Sequence, residues 1–97
     1  MKYGGYVMEG KLYQFLETLK ALNKKNIQIR QKGFIQTQFP LEKMEYQVQS
    51  DIVRMEDETH QKWIQINLNQ VYDVELAKEI RLFLDNDTII EIENRDV

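Results

Sequence analysis

Three carboxylates and the only histidine of the chain fall within five positions, Glu56, Asp57, Glu58 and His60. Hard oxygen donors beside an imidazole are the ligands a divalent cation takes. Adjacent residues on a short turn point in divergent directions, however, and a single imidazole without a fixed outer partner orients nothing. The segment is therefore read first as a polar turn, with cation binding left open. Asp85-Asn86-Asp87-Thr88 with Glu91 has the composition of a calcium loop but neither its glycine nor its length, so it too reads as a turn. Nucleophilic catalysis has little to build on: Ser50 is the only serine, there is no cysteine, and no elbow motif surrounds Ser50 or His60. No catalytic residue, cofactor site or metal site is assigned, and the chain is read as non-enzymatic.

Two further sets concern binding. Lys20, Lys24, Lys25, Arg30 and Lys32, with Phe34 nearby, combine charge with a ring in the manner of a single-strand nucleic-acid surface. Trp63 belongs to the second set. If Ile64, Ile66 and Leu68 face the core, then Trp63, Gln65 and Asn67 share the opposite face of the same strand, where a large ring is a natural interface anchor.

The elements that must position these residues follow from a switch of hydrophobic period at Asn26. Before it, Leu12, Phe15, Leu16, Leu19 and Leu22 recur at helical spacing and predict a helix over Lys11 to Lys25, with Asn23 or Asn26 ending it in the left-handed conformation. Beyond it, alternation takes over. Ile27, Ile29, Ile35 and Phe39 share parity and predict a hairpin turning at Gly33 and stopped by Pro40. Met44, Tyr46 and Val48 form the next strand, and a shift of phase near Ser50-Asp51, which brings Val53 and Met55 inward, suggests a bulge. Strands over Trp63 to Leu68 and Val71 to Leu76 follow, with a bend at Asn69-Gln70. Residues 74–84 fit either a strand or a second helix; the β-branched run after Asp85-Asn86-Asp87 favours a closing hairpin. The resulting fold class is α+β, mainly β: one N-terminal helix packed on an antiparallel meander or small Sm-like barrel, with residues 1–8 as a flexible arm and residues 9–97 as a single domain.

At 97 residues there is room for one core and no second lobe. No apolar run approaches the roughly 18–20 residues that span a bilayer, and the N-terminus lacks the apolar stretch of a secretion signal, so a cytoplasmic protein without membrane contact is expected. Usage rich in Ile, Asn, Lys, Glu and Gln suits a low-GC bacterium, its plasmids or its phages. Charge is unevenly spread: residues 1–50 carry eight Lys or Arg against four Glu, and residues 51–97 carry five against twelve acidic residues. The net charge of −3 disfavours strong phosphate-backbone affinity without excluding a local basic patch.

The run Lys11-Leu12-Tyr13 through Lys25, then Asn26-Ile27-Gln28-Ile29, Gly33-Phe34-Ile35, Ser50-Asp51-Ile52-Val53 and Ile64-Gln65-Ile66-Asn67 to Val71-Tyr72-Asp73-Val74 resembles the YolD-like family of low-GC bacteria. The resemblance implies a helix feeding a small Sm-like barrel and a protein partner in a DNA-damage setting, beside translesion polymerases. It transfers no site residues. The function expected is a protein-interaction or regulatory module, such as an inhibitor or accessory factor of a nucleic-acid-processing machine; the alternative is an Sm-like nucleic-acid binder that uses the basic first half.

Overall fold

A computed structural model describes the backbone of residues 6–96 and the side chains of residues 10–96. Among the described residues a single α-helix, α1 (Tyr6–Leu22), precedes eight strands. It begins earlier than its apolar stripe predicts, so that only residues 1–5 of the proposed arm lie outside the described residues. Leu12, Phe15, Leu19 and Leu22 are buried along one face, and Leu16 is half-buried beside them, because spacings of three and four keep side chains on one side of a 3.6-residue helix. The helix stops three residues before its predicted end. Lys24, not Asn23 or Asn26, takes the left-handed conformation (φ 69°), while the N–H groups of Asn23 and Lys25 bond the carbonyls of Lys20 and Leu22 and close the last turn.

Five strands form one antiparallel sheet in the order β2-β1-β8-β7-β6, from β1 (Ile27–Lys32), β2 (Thr37–Leu41), β6 (Val71–Leu76), β7 (Ile80–Leu84) and β8 (Ile89–Asn94). The other three, β3 (Glu45–Gln49), β4 (Ile52–Glu56) and β5 (Trp63–Asn67), form a second antiparallel sheet. The first and last strands are neighbours, with Ile29 opposite Ile92 and Ile27 opposite Asn94. Among the described residues the two sheets remain separate and a closed barrel is not found. A single core joins them through the helix, with Phe15, Leu19, Ile29, Met44, Met55, Ile66, Leu82 and Ile92 all fully buried.

Several local departures have simple causes. Residues 74–84 are strand, turn and strand rather than a second helix, because alternation buries Val74, opposite Leu82, and Ile80 on the covered face of a sheet that β8 then extends, while Leu76 at the strand end stays exposed. The phase shift at Ser50-Asp51 is a two-residue turn and not a bulge: Gln49 pairs with Ile52, and Ser50 supplies the positive φ (58°) that such turns need. Pro40 does not stop β2, which continues to Leu41; β2 is an edge strand, where a missing donor is tolerated. Ile35 is exposed, since the β1–β2 turn at Gly33 to Gln36 carries it out of the sheet before its parity matters.

Asn26 ties the ends of the sheet domain together. Its N–H and Nδ2 donate to the Asp96 carboxylate at 2.9 and 2.8 Å, its Oδ1 accepts from Lys43 N–H at 3.0 Å, and its carbonyl accepts from Arg95 N–H at 2.8 Å. At the other end of the helix Lys11 Nζ donates to Asp73 Oδ1 at 2.7 Å, which fixes α1 against β6.

Candidate protein-interaction surface

The alternation that buries Val53, Met55, Ile64 and Ile66, with Tyr46 half-buried opposite Met55, turns the intervening side chains of the second sheet outward. Register then sets the neighbours. Glu45, Glu56 and Trp63 lie in one row, Gln47, Arg54 and Gln65 in the next, and Gln49, Ile52 and Asn67 in the third. Arg54 occupies the centre. Its Nε donates to Glu56 Oε1 and its Nη1 to Gln65 Oε1, both at 2.7 Å, and the guanidinium lies 4.1 Å from the centroid of the Trp63 ring. A guanidinium held over an indole by two further hydrogen bonds gains cation–π attraction and restricts both groups before any partner arrives. Trp63 nevertheless remains 49% exposed. Beside this stack is a shallow depression of about 370 Å³ lined by Gln47, Gln49, Ser50, Ile52, Arg54 and Gln65.

Trp63 and Gln65 thus stand together on this face as the strand pattern predicts. Asn67 is diverted: its Oδ1 accepts from Asn69 N–H at 2.9 Å and starts the single 3₁₀ turn Leu68–Gln70 that leads into β6. Arg54 and Glu56 are the members that sequence reasoning missed. Only the pairing of β4 with β5 brings them beside Trp63, and strand register is not written in either segment alone.

The acidic loop resolves into separate structural roles. Glu56 binds Arg54, and its Oε2 lies 2.6 Å from His60 Nδ1; these hydrogen bonds, the one to His60 foremost, hold its pKa below the usual carboxylate value. Asp57 turns inward and is buried. Its carboxylate accepts from Thr59 Oγ1 at 2.6 Å, Glu42 N–H at 3.0 Å and Thr59 N–H at 2.8 Å, and these bonds push its pKa from 3.8 down to about 2. Glu58 is exposed and only its backbone N–H is engaged, on the Glu42 carbonyl. Among the described residues no group of acidic or histidine side chains is placed to share a cation. Asp85 to Thr88 forms the β7–β8 turn, with Asn86 Oδ1 accepting from Thr88 N–H and Asp87 at φ 63°.

A depressed Asp57 pKa makes the loop acid-sensitive. Between about pH 4 and pH 2 the unfolded chain takes up the proton more readily than the folded one, so stability present above 3.8 is lost as the pH falls toward 2. Denaturant midpoints measured across that window should fall more steeply for the natural chain than for Asp57→Asn, whose side chain does not titrate.

The five cations and Phe34 do not form one surface. Lys20 lies on the helix, Lys24 ends it and bonds Glu45 at 2.9 Å, and Lys25 adjoins Asp96. Arg30 and Lys32 are on the outer face of the five-stranded sheet, engaged by Glu79, Glu91 and Glu93 at 2.9–3.7 Å. Lys32 stands about 16 Å along β1 from Ile27, at roughly 3.3 Å per residue, and Phe34 projects fully exposed from the hairpin tip beyond it. The chain matches no family model, no curated protein and no solved structure.

Proposed function

We propose that this chain is a small non-enzymatic interaction module that binds a protein partner through the outer face of β3, β4 and β5, with Trp63 as its anchor. The observation that carries this reading is the half-exposed indole stacked under Arg54 and held by Glu56 and Gln65 on an uncovered sheet face. Tryptophan and arginine are the residues most enriched where binding energy concentrates, and a pair ordered in advance loses little entropy on association. The polar surround of Gln47, Gln49 and Gln65 supplies donors and acceptors suited to a protein surface. A role as accessory factor of a nucleic-acid-processing machine follows the resemblance to the YolD-like family, a role as inhibitor suits a mobile-element origin, and the cytoplasm of a low-GC bacterium, plasmid host or phage-infected cell is its proposed setting.

Iodide should quench Trp63 fluorescence appreciably in the free protein and less in the complex with a partner purified from the source cell. Trp63→Ala should weaken that complex by about 30-fold, the effect of losing one anchor worth about 2 kcal/mol. Complete protection of Trp63 in the free protein would overturn the assignment. A binding series on a mixed-sequence single strand should show no submicromolar complex at about 50 mM salt. With Lys24, Arg30 and Lys32 already engaged by carboxylates, the salt slope should stay below the −3 to −4 that about five free cations would produce. A tight, salt-steep complex would instead establish the nucleic-acid alternative.

A further inference from the structure

The free edge of the second sheet carries information about self-association. Met44, just before β3, uses both backbone groups away from β4: its N–H donates to the Lys25 carbonyl at 2.9 Å and its carbonyl accepts from Lys24 N–H at 2.6 Å. Backbone direction alternates along a strand, so Tyr46 and Val48 also aim their N–H and C=O groups away from β4, whereas Glu45, Gln47 and Gln49 exchange bonds with it. The two-residue turn at Ser50-Asp51 requires the same phase, because the residues flanking such a turn form a hydrogen-bonded pair. Among the described residues nothing pairs with Tyr46 or Val48 on that side, and Val48 is 44% exposed. Both edges of the five-stranded sheet are blunted. Edge strand β2 contains Pro40, and on edge strand β6 the N–H of Val74 is taken by Asp73 Oδ1. β3 has no proline, lysine or bulge.

We propose that β3 is a self-pairing edge, across which two copies of the chain join antiparallel about Gln47 into one six-stranded sheet. The occupant is a second copy because the strand is complementary to itself under a two-fold axis. In that register Tyr46 meets Val48 of the other copy, an aromatic opposite a β-branched side chain, and each such pair exchanges two N–H···O=C bonds. Glu45 meets Gln49, Gln47 meets Gln47, and no like charges oppose each other. The ends fit as well: the second strand turns away at its own Ser50 just where the Lys24-Lys25 segment occupies Met44. Sliding the register by one rung in either direction would lose a pair to that segment or to the turn. Such a contact is isologous, which closes at a dimer. It leaves Trp63, two strands away, free for the partner, and stands or falls independently of that reading.

Cross-linking reads the axis directly, since the chain has no cysteine of its own. Gln47 and its copy form a non-hydrogen-bonded pair with Cα atoms about 4.5 Å apart, within disulfide reach, whereas two Gln49 positions would lie about 14 Å apart and could not be bridged. Oxidised Gln47→Cys should therefore give a covalent dimer, with Gln49→Cys remaining monomeric. Sedimentation should show a reversible monomer–dimer equilibrium at concentrations up to about 1 mM. Gln47→Glu and Gln47→Lys should each weaken it at least about tenfold by placing like charges on the axis, and a one-to-one mixture of the two should restore it. These outward substitutions leave the β3–β4 ladder intact, so each variant should keep the far-ultraviolet spectrum of the natural chain. A monomer at every concentration, equal cross-linking of Gln47→Cys and Gln49→Cys, or a dimer bridged instead through Gln65→Cys on β5 would overturn the proposal.

Discussion

Phe15→Ala is expected to lower the stability of the fold by about 3–5 kcal/mol, the cost of removing a buried aromatic ring and leaving a cavity. Phe15 is fully buried at the middle of the helix stripe, in the cluster that also contains Leu19, Met55 and Leu82. A domain of this size has a total stability of about 5–15 kcal/mol, so the substitution removes a large share of it. Leu19→Ala, equally buried, should cost about 2–5 kcal/mol. Leu16, only half-buried, should cost less than either. Urea denaturation followed by circular dichroism checks all three. A loss under about half a kcal/mol at Leu19 would mean that the stripe is not packed on the sheets and is open to a partner.

The second large effect is expected on the opposite side of the molecule. Glu91 points outward from β8, where parity would leave it in water, yet it is 4% exposed. It is buried by the cations drawn to it. Arg81 Nε lies 2.9 Å from Oε2, and Lys32 Nζ and Arg30 Nη1 lie 3.2 and 3.7 Å from Oε1. Burial alone would raise its pKa and is the largest single influence, but the hydrogen bonds from Arg81 and Lys32 together with their charges outweigh it, and the net shift is downward. Removing one partner of a buried ion pair costs about 3–5 kcal/mol. Here the three cations are each 29–50% exposed and can be rehydrated, which brings the expected loss for Glu91→Ala to about 2–3 kcal/mol. Because its pKa is depressed, the Glu91 contribution is present above the ordinary value of 4.5 and is lost as the pH falls below it. Denaturation of the variant at pH 7 and pH 3 should show a gap from the natural chain that narrows at the lower pH; an unchanged gap would assign the effect to packing of the side-chain stem.

The same network neutralises part of the basic first half of the chain. Lys and Arg dominate residues 1–50 and Asp and Glu dominate residues 51–97, but β8 is inserted between β1 and β7, so Glu91 and Glu93 of the acidic half stand directly against Arg30 and Lys32 of the basic half. At these two cations the asymmetry of sequence is cancelled across strands. Charge blocks along a chain become surface fields only when topology keeps them apart.

Hydrophobic period alone determined most of the elements. The helix with its apolar face, the hairpin after Asn26, the inward turn of Val53 and Met55, the strands over Ile64–Ile66 and Val71–Leu76, and the closing hairpin over 80–94 all follow from local alternation, because each segment buries one face and repeats accordingly. The outward position of Trp63 and Gln65 follows from the same rule. Tertiary structure alone decided how those segments pair. Nothing local distinguishes a single closed barrel from two sheets, or places β8 beside β1 across 57 to 67 residues, since backbone hydrogen bonding is the same for any partner and only the fit of the shared core selects one. That selection set Arg54 over Trp63, buried Glu91 under three cations and turned the carboxylates of the Glu56–His60 loop toward separate partners. Each depends on groups distant in sequence, and their energies exist only once packing has brought them within hydrogen-bond reach.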